Sequence, residues 1–529
     1  MVPIASTAPP PSTAQPTPPP QQGGWWHAYI CPTHGVELEH DGLLSGVFPL
    51  GGARCRHGCR IDEPAVRGAW TVLAHQACAR QIRALAGSTQ EADRHTAVDL
   101  LTSYARQYAA LGAAPHDGAA EWMLRGRLFH QALTEAIWSV TIGQAARALR
   151  EAGHPLPVEV TELLRALVAA AGQARDALVD AGRFDSNYTA WLVAAGAACS
   201  GRPEWASGRH GMGDHVLAAV RPDGWEWEGS TYYHGFVLRA YLLTLDALPQ
   251  VPVPEEVRSR LTAMAAVLDT LVTPGGLLPA LHDGPYDRPP ARYELDELRE
   301  LLPLLNVEAN QPRPVTVYPV TGYAVLRGLG LHAVVDFGPH GGSHGHLDKL
   351  ALYLYGADTR WQPDPGQVPY AHQGWRQHFT STAAHPTFSV DGLDQAECAG
   401  YLIGHDGRSV SVGCDTAYPG VSARRQVTLR DDVFIDELTV ETDRPRRITS
   451  HLRPDVELTV RAGAGGSLET VWPGRQTLRG RHTASAAAVV LCRPGPGPAD
   501  DPQRVRTWVD WTAVDATTVT FRSIYRMEN

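Results

Sequence analysis

Four short stretches of the 529-residue chain gather side chains able to move protons or hold ions. Gly341-Gly342-Ser343-His344-Gly345-His346-Leu347-Asp348 sets two histidines one residue apart among glycines that make a tight connection. Pro363-Asp364-Pro365-Gly366 is a turn carrying a carboxylate. Ser381-Thr382-Ala383-Ala384-His385-Pro386-Thr387 delivers a third histidine to the start of a strand. Trp227-Glu228-Gly229-Ser230-Thr231-Tyr232-Tyr233-His234 leads into a helix marked by Val237, Tyr241 and Leu245. Tyrosine and histidine suit general acid and base work, and imidazole with carboxylate suits zinc. Each stretch also has an ordinary reading: a hydrogen-bonded strand histidine, a packed tyrosine pair, a turn-forming aspartate. A fifth group lies near the N-terminus, where Cys31-x2-His34 precedes Cys55-x3-Cys59. Two close ligand pairs separated by a loop are how a zinc ribbon is built, and such a closed four-ligand shell is structural, with no open position for a substrate. The same thiols without metal are the competing reading.

Elements of two kinds must position these groups. Val160, Leu164, Leu167, Ala171, Ala174 and Leu178 recur in alternating steps of four and three, as do Val257, Leu261, Met264, Leu268 and Leu271, and Phe129, Leu133, Ile137 and Val140 follow in steps of four, four and three. This is the helical period, and Pro254-Glu255-Glu256 is a good helix start. A large all-α region over 70–311 follows, a solenoid or a closed toroid of hairpins; the lack of a fixed-period repeat disfavours the common solenoids. After Pro312-Arg313-Pro314 the period becomes two: Val427/Leu429, Val433/Ile435, Leu438/Val440, Val456/Leu458/Val460 and Val519/Phe521 alternate with polar residues. Short strands without helices over 312–529 predict an antiparallel β-sandwich. Residues 1–24 read as a disordered Pro-rich lead and 25–69 as a small zinc-ribbon-like segment. A site is expected where helices and sheet meet.

Composition narrows the function classes. With 43% hydrophobic residues and 19% charged, the chain has material for two to four domains of ~100–200 residues. The net charge of −10 argues against sequence-independent nucleic-acid binding. No run approaches the ~20 apolar residues of a membrane span. The N-terminus shows neither the basic nor the apolar region of a secretory signal, so the expected location is the cytoplasm. Eight cysteines in so long a chain do not make a disulfide scaffold.

Taken in order, EGSTYYHGFVL, GGSHGHLDKL, PDPG and STAAHPT followed by FSVDGLDQ resemble the heparinase II/III family of polysaccharide lyases, which includes oligoalginate lyases and heparin and heparan sulfate lyases. The resemblance covers roughly residues 120–400, including GRLFHQALTEAIW around Glu135, and is looser beyond. It implies a multidomain α+β chain: an incomplete (α/α) toroid followed by an antiparallel β-sandwich. It also implies a carbon–oxygen lyase that cleaves uronate-containing glycans by β-elimination, leaving an unsaturated uronyl end. The family's tyrosine falls on Tyr233, its catalytic histidine on His344, and the asparagine that neutralises the substrate carboxylate on Asn187; a helix N-cap is the ordinary role for Asn187. Family zinc ligands fall on His346, Asp364 and His385, where a zinc would hold the loop of His344 rather than do chemistry. Tyr188, Glu228, His234, Tyr370, Arg376 and His378 are the expected substrate contacts. The negative overall charge leans away from highly sulfated chains, towards an exo-acting enzyme on alginate-like or weakly sulfated oligosaccharides. Two alternatives stand beside this: an inactive carbohydrate-binding protein on the same fold, and a metallohydrolase. HGHLD resembles the first ligand run of binuclear metallohydrolases, although Lys349 stands where a further histidine would.

Overall fold

A computed structural model of the chain describes residues 16–111, 124–287, 289–306 and 313–528. Helices fill the first half: Pro64–Ala86, Glu91–Ala110, Ala132–Glu151, Val158–Asp180, Asn187–Ser200, Met212–Ala219, Thr231–Ala247, Glu255–Leu271 and Pro289–Leu301. The expected helix start at Pro254 is there, with Pro254 as cap and Glu255 and Glu256 in the first turn. Asn187–Ser200 and Thr231–Ala247 are apolar on nearly every side and buried along most of their length, as befits helices in the interior of a helical array. Their N-termini need satisfied amides. Ser186 accepts from the Tyr188 N–H, and Ser230 from the Tyr233 N–H.

The second half is an antiparallel β-sandwich. A five-stranded meander over Val315–Gln362 packs against a ten-stranded sheet built around two long paired strands, Val433–Leu452 and Val505–Glu528. The meander is buried on both faces. Ala324, Leu326, Ala333, Val335, Leu352 and Leu354 enter the core between the sheets, whereas Tyr323, Val325, Val334, Tyr353 and Tyr355 pack with Trp225, Val267, Leu271 and Leu281 of the helical half. That burial explains why YAVLRG and LYLY lack the polar alternation of the later strands. The helical and sheet halves thus share a packed interface, and the loops at its edge carry the site.

Four expectations need correction. Residues 16–24 belong to the ordered fold: the Thr17 N–H donates to Leu44 O, Gln107 Nε2 to Pro19 O and the Gly23 N–H to Leu128 O, so the short polar run gains hydrogen-bond partners from a 3-10 turn, a helix and a loop; residues 1–15 lie outside the described residues. The first helix starts at Pro64, inside the segment assigned to the ribbon, because proline is suited to a first helical turn. The sheet half contains a helix, Gln373–Thr380, whose Trp375 and Phe379 stack four residues apart. Its two longest strands are not short: they bend at register shifts between Glu441 and Ile448. The boundary placed at 311/312 falls in 307–312, outside the described residues. Among the described residues, no helix is long and apolar enough to cross a membrane.

Candidate active site

The two inner helices open onto one cavity of about 920 Å³, at the upper end of the range for small-molecule sites. Asn187 stands at the first position of its helix and Tyr233 at the third position of the other, so both side chains are aimed by capped helix starts. The cap that Asn187 was weighed for is supplied instead by Ser186. Across the cavity the sandwich contributes His344, Tyr370 and Arg376, and the N-terminal segment contributes Trp26, His27 and His40. The loop carrying His344 comes close because of its glycines. Gly341 has φ +83° and a Cβ there would lie 2.3 Å from Glu228 O, while one on Gly345 would collide with His340 O.

Tyr233 and His344 stack face to face, ring centres 3.8 Å apart and planes inclined by 24°. The Tyr233 hydroxyl lies 2.9 Å from the Tyr370 hydroxyl, which donates to Asp283 Oδ2 at 2.8 Å and lies 3.0 Å from His344 Nδ1. Asp283 is the hub. It faces His344 Nδ1 at 2.9 Å and His346 Nε2 at 3.2 Å, and accepts from Arg376 at 3.1 Å and Gln367 at 3.2 Å. On the other flank, Asn187 Nδ2 donates to both Glu228 oxygens at 3.3 Å, and Glu228 Oε1 lies 3.7 Å from His344 Nε2. Among the described residues, Asn187 Oδ1 is buried with no hydrogen-bond partner.

Burial and charge set the protonation states. Burial pushes the Tyr233 phenol well above its ordinary value, and the Asp283 charge adds to this, so the phenol keeps its proton. Burial opposes a charge on His344, but Glu228 and Asp283 outweigh it and hold the imidazole above the ordinary histidine range. Burial alone would raise Asp283; hydrogen bonds from His344 and His346 hold it well below the carboxylate range. Glu228 is raised chiefly by burial, against the pull of His344 and Asn187.

His346, Asp364 and His385 converge behind this wall with donor atoms within 4.8 Å of one another. His346 Nε2–H is directed at Asp283, and His385 Nδ1–H at Ser381 O, 2.8 Å away. Their remaining nitrogens are then lone pairs, facing each other at 3.0 Å, with Asp364 Oδ1 3.8 Å from each. Two lone pairs cannot bond to each other; a shared cation or proton is required. The spacing is near the about 3.3 Å edge of a tetrahedron with bonds of ~2.0–2.1 Å, and the outer hydrogen bonds are those that orient metal-binding histidines. The donor set fits a zinc-like ion. Nearby His282, Asp336 and Asp348 form another acidic group, but the Lys349 ammonium lies between the carboxylates, paired with Asp336 and 3.3 Å from Asp348. That cation fills the group.

The structure brings Asn187, Tyr188, Glu228, Tyr233, His344, Tyr370 and Arg376 to the cavity wall. His234 points away: it is fully buried, its Nε2 donates to Met264 O, and its Nδ1 accepts from the Glu226 N–H. His378 stacks on Trp508 behind the wall, 5.6 Å between ring centres. Sequence reading missed Asp283, whose surroundings in His282-Asp283-Gly284-Pro285 look like any polar turn. It also missed His27, which stacks on Tyr370 at 4.1 Å.

Residues 310–492 match the family model described as heparinase II/III-like, C-terminal. No curated protein sequence matches the chain. Among solved structures, a mutant of the heparan sulfate lyase HepC from Pedobacter heparinus is similar at 13% identity and a TM-score of 0.64, covering 90% of this chain and 80% of that one. A crystal structure of heparinase III is similar at 16% identity and a TM-score of 0.65, covering 92% and 80%. At such identities the likeness is one of fold: a helical region followed by a large antiparallel β-domain.

Proposed function

We propose, from the match of residues 310–492 to the heparinase II/III-like family model, that this chain is a polysaccharide lyase that cleaves uronate-containing oligosaccharides by β-elimination. The observation that carries the reading is the stacked Tyr233–His344 pair facing Asn187 across one cavity. Abstracting a proton beside a carboxylate requires that the growing enolate charge be met by donors, that a base reach C5 and that an acid reach O4. The Asn187 amide supplies a donor. The reacting form of His344 is the ring that has given up its Nε2 proton, which Glu228 and Asp283 make it hold above the ordinary histidine range; Asp283 keeps Nδ1–H in place and so leaves Nε2 to accept the C5 proton. Tyr233, protonated at rest, gives its proton to O4 as the C4–O4 bond breaks and the C4–C5 double bond forms. To reset the site, His344 gives up the C5 proton to solvent, and a solvent proton returns to Tyr233 by way of Tyr370, which is hydrogen-bonded to both Tyr233 and Asp283. Because the two rings are stacked, base and acid act from one face of the sugar, which is a syn elimination.

Zinc held by His346, Asp364 and His385 would fix the loop between His344 and its Asp283 support, and its chemistry there would be structural. The cavity wall favours a carboxylated sugar over a densely sulfated one. Among the described residues, its four arginines, Arg80, Arg183, Arg239 and Arg376, are matched by four carboxylates, Glu228, Glu294, Asp296 and Glu297, and Arg239 pairs with Glu294 and Glu297 and Arg376 with Asp283. The N-terminal segment closing one side supports action at chain ends, on alginate-like or weakly sulfated glycosaminoglycan-type oligomers. A metallohydrolase has less support, since Lys349 occupies the second acidic group. An inactive carbohydrate-binding protein would leave the Tyr233–Tyr370–Asp283 chain without a use.

The test is the ultraviolet absorbance of the conjugated product during incubation with oligomers of alginate, hyaluronan, chondroitin, heparan sulfate and heparin. A rise with at least one of them, absent in Tyr233→Phe and His344→Ala, is expected. No rise with any, from folded and zinc-supplied protein, overturns the reading in favour of carbohydrate binding alone.

A further inference from the structure

The N-terminal cysteines take no part in the site chemistry, yet three of them converge on one imidazole. His34 Nδ1 lies 3.4 Å from Cys31 Sγ, 3.5 Å from Cys55 Sγ and 3.4 Å from Cys59 Sγ. All four donor atoms fall within 4.8 Å of one another. One imidazole nitrogen equidistant from three sulfurs is an unusual hydrogen-bonding arrangement but an ordinary coordination one. With Zn–S of about 2.3 Å and Zn–N of about 2.0–2.1 Å, a tetrahedral shell sets nitrogen and sulfur about 3.5 Å apart. The backbone serves the same end. The Cys55 N–H donates to Cys59 O across a tight turn with Gly58 at φ +91°, and the His57 N–H points at Cys55 Sγ at 3.4 Å. The Gly35 N–H donates to Cys31 O, closing the other turn around His34. Cys31 and Cys55 are buried, so the sulfurs face one another rather than solvent.

The segment also needs a staple. Its regular structure is limited to strands of two residues, Ala53–Arg54 and Arg60–Ile61, and two short 3-10 turns. Its core of Tyr29, Val36, Leu38 and Ala53 is completed only by leaning on Val66, Trp70 and Leu73 of the first long helix. A unit so poor in core is of the kind that a structural metal holds together.

We infer that Cys31, His34, Cys55 and Cys59 bind one zinc ion, and that this ion pins the N-terminal segment to the sandwich so that His27 and His40 form a fixed wall of the cavity. The loops around the four donors are the ones that touch the sandwich. Gln503 donates to His34 O at 3.2 Å, His57 Nε2 lies 2.9 Å from Asp501, and His372 Nε2 donates to Pro32 O at 3.2 Å. Gly35 fits against Trp375, which leaves no room for a Cβ. Four residues before Cys31, His27 stacks on Tyr370, the hydroxyl that links Tyr233 to Asp283. The metal site itself is independent of the lyase reading; its effect on substrate rests on that reading.

Cobalt substitution of the full-length protein reads the site without any substrate. Cobalt bound by three thiolates and one imidazole gives an intense sulfur-to-metal charge-transfer band and tetrahedral visible bands, whereas cobalt at His346, Asp364 and His385 gives no sulfur band. The expected result is a sulfur band that persists in His385→Ala and is lost in Cys55→Ser, with one equivalent of zinc lost in Cys55→Ser relative to wild type. Because the serine variant can misfold, wild-type protein is also stripped by chelator and reloaded. Hydrogen exchange of residues 27–40 is expected to speed up on stripping and to slow again with zinc, while the sandwich strands stay protected. Absence of the sulfur band in cobalt-loaded protein, a disulfide among the three cysteines, or exchange of residues 27–40 indifferent to metal overturns the inference. If metal binds and the segment tightens but no glycan is cleaved, the lyase reading fails and this one stands.

Discussion

Tyr233 and His344 come from opposite halves of the chain and stack with ring centres 3.8 Å apart. One is aimed by the cap of an inner helix and the other by a glycine-rich loop of the sandwich. The pair exists only where the two halves meet, and the chemistry proposed for it depends on both rings addressing one face of a sugar.

Removing either end of that pair should abolish elimination while leaving binding. Tyr233→Phe and His344→Gln are expected to slow product formation by at least ~10²-fold, the scale of a lost acid or base. Oligosaccharide affinity measured by calorimetry should change only a few-fold. Wild-type rates in Tyr233→Phe would show that another group protonates O4.

Asp283 orients rather than reacts, so its loss should spread. Asp283→Asn keeps the shape but gives up the charge that accepts from Tyr370, His344 and Arg376. A loss of about 10–100-fold in rate is expected, with weaker zinc retention because His346 loses its carboxylate partner. Tyr370→Phe, which removes the hydroxyl between Tyr233, Asp283 and His344 but leaves the His346–Asp283 contact, should slow the reaction without changing metal content. Equal zinc affinity in Asp283→Asn and wild type would argue against the shared support.

Metal removal should be felt first as lost stability. A chelator, or His385→Ala, leaves His346 Nδ1 and Asp364 without a shared ion inside a buried site. A lower Tm, restored by zinc in the chelated wild type, is expected by calorimetry. Unchanged Tm together with unchanged metal content would exclude this site.

Acid should destabilise the fold well before carboxylates titrate. Burial lowers His75, His215, His451 and His482 to about 4. Unfolded, each returns to about 6.5. Below that value the unfolded state binds more protons, so the stability from keeping these rings neutral is complete above pH 6.5 and is lost as pH falls towards 4. His215 shows why: its Nε2 donates to Ser186 O and its Nδ1 accepts from the Tyr241 hydroxyl, so neither nitrogen can take a proton without breaking a bond. A Tm that falls steadily from pH 7 to pH 4.5 is expected; a flat profile would mean that these rings are reached by water.

Much of this molecule is local and therefore readable along the chain. The 3.6-residue period of Val160 to Leu178 and the two-residue period of Val427 to Val440 mark the two halves, because each periodicity reports one buried face. Tyr233, His344, Asn187 and the donors His346, Asp364 and His385 were nominated by the resemblance of their ordered segments to the heparinase II/III family. The spacing of Cys31, His34, Cys55 and Cys59 announced a convergent group, since short loops constrain geometry by themselves. Other features were decided by contacts between distant parts. Asp283 lies some sixty residues from His344 and nearly ninety from Tyr370, and nothing in its neighbours marks it as the carboxylate on which they converge. His234 follows Tyr233 directly, yet one helical step of about 100° turns it from the cavity into the core beside Met264. The apolar runs of the meander gave no alternation because helices cover one face and a second sheet the other. A sequence specifies which side chains exist and how each local element turns them; which of them meet depends on the packing of those elements, and there a single rotation or a remote loop settles whether a residue faces the substrate or the interior.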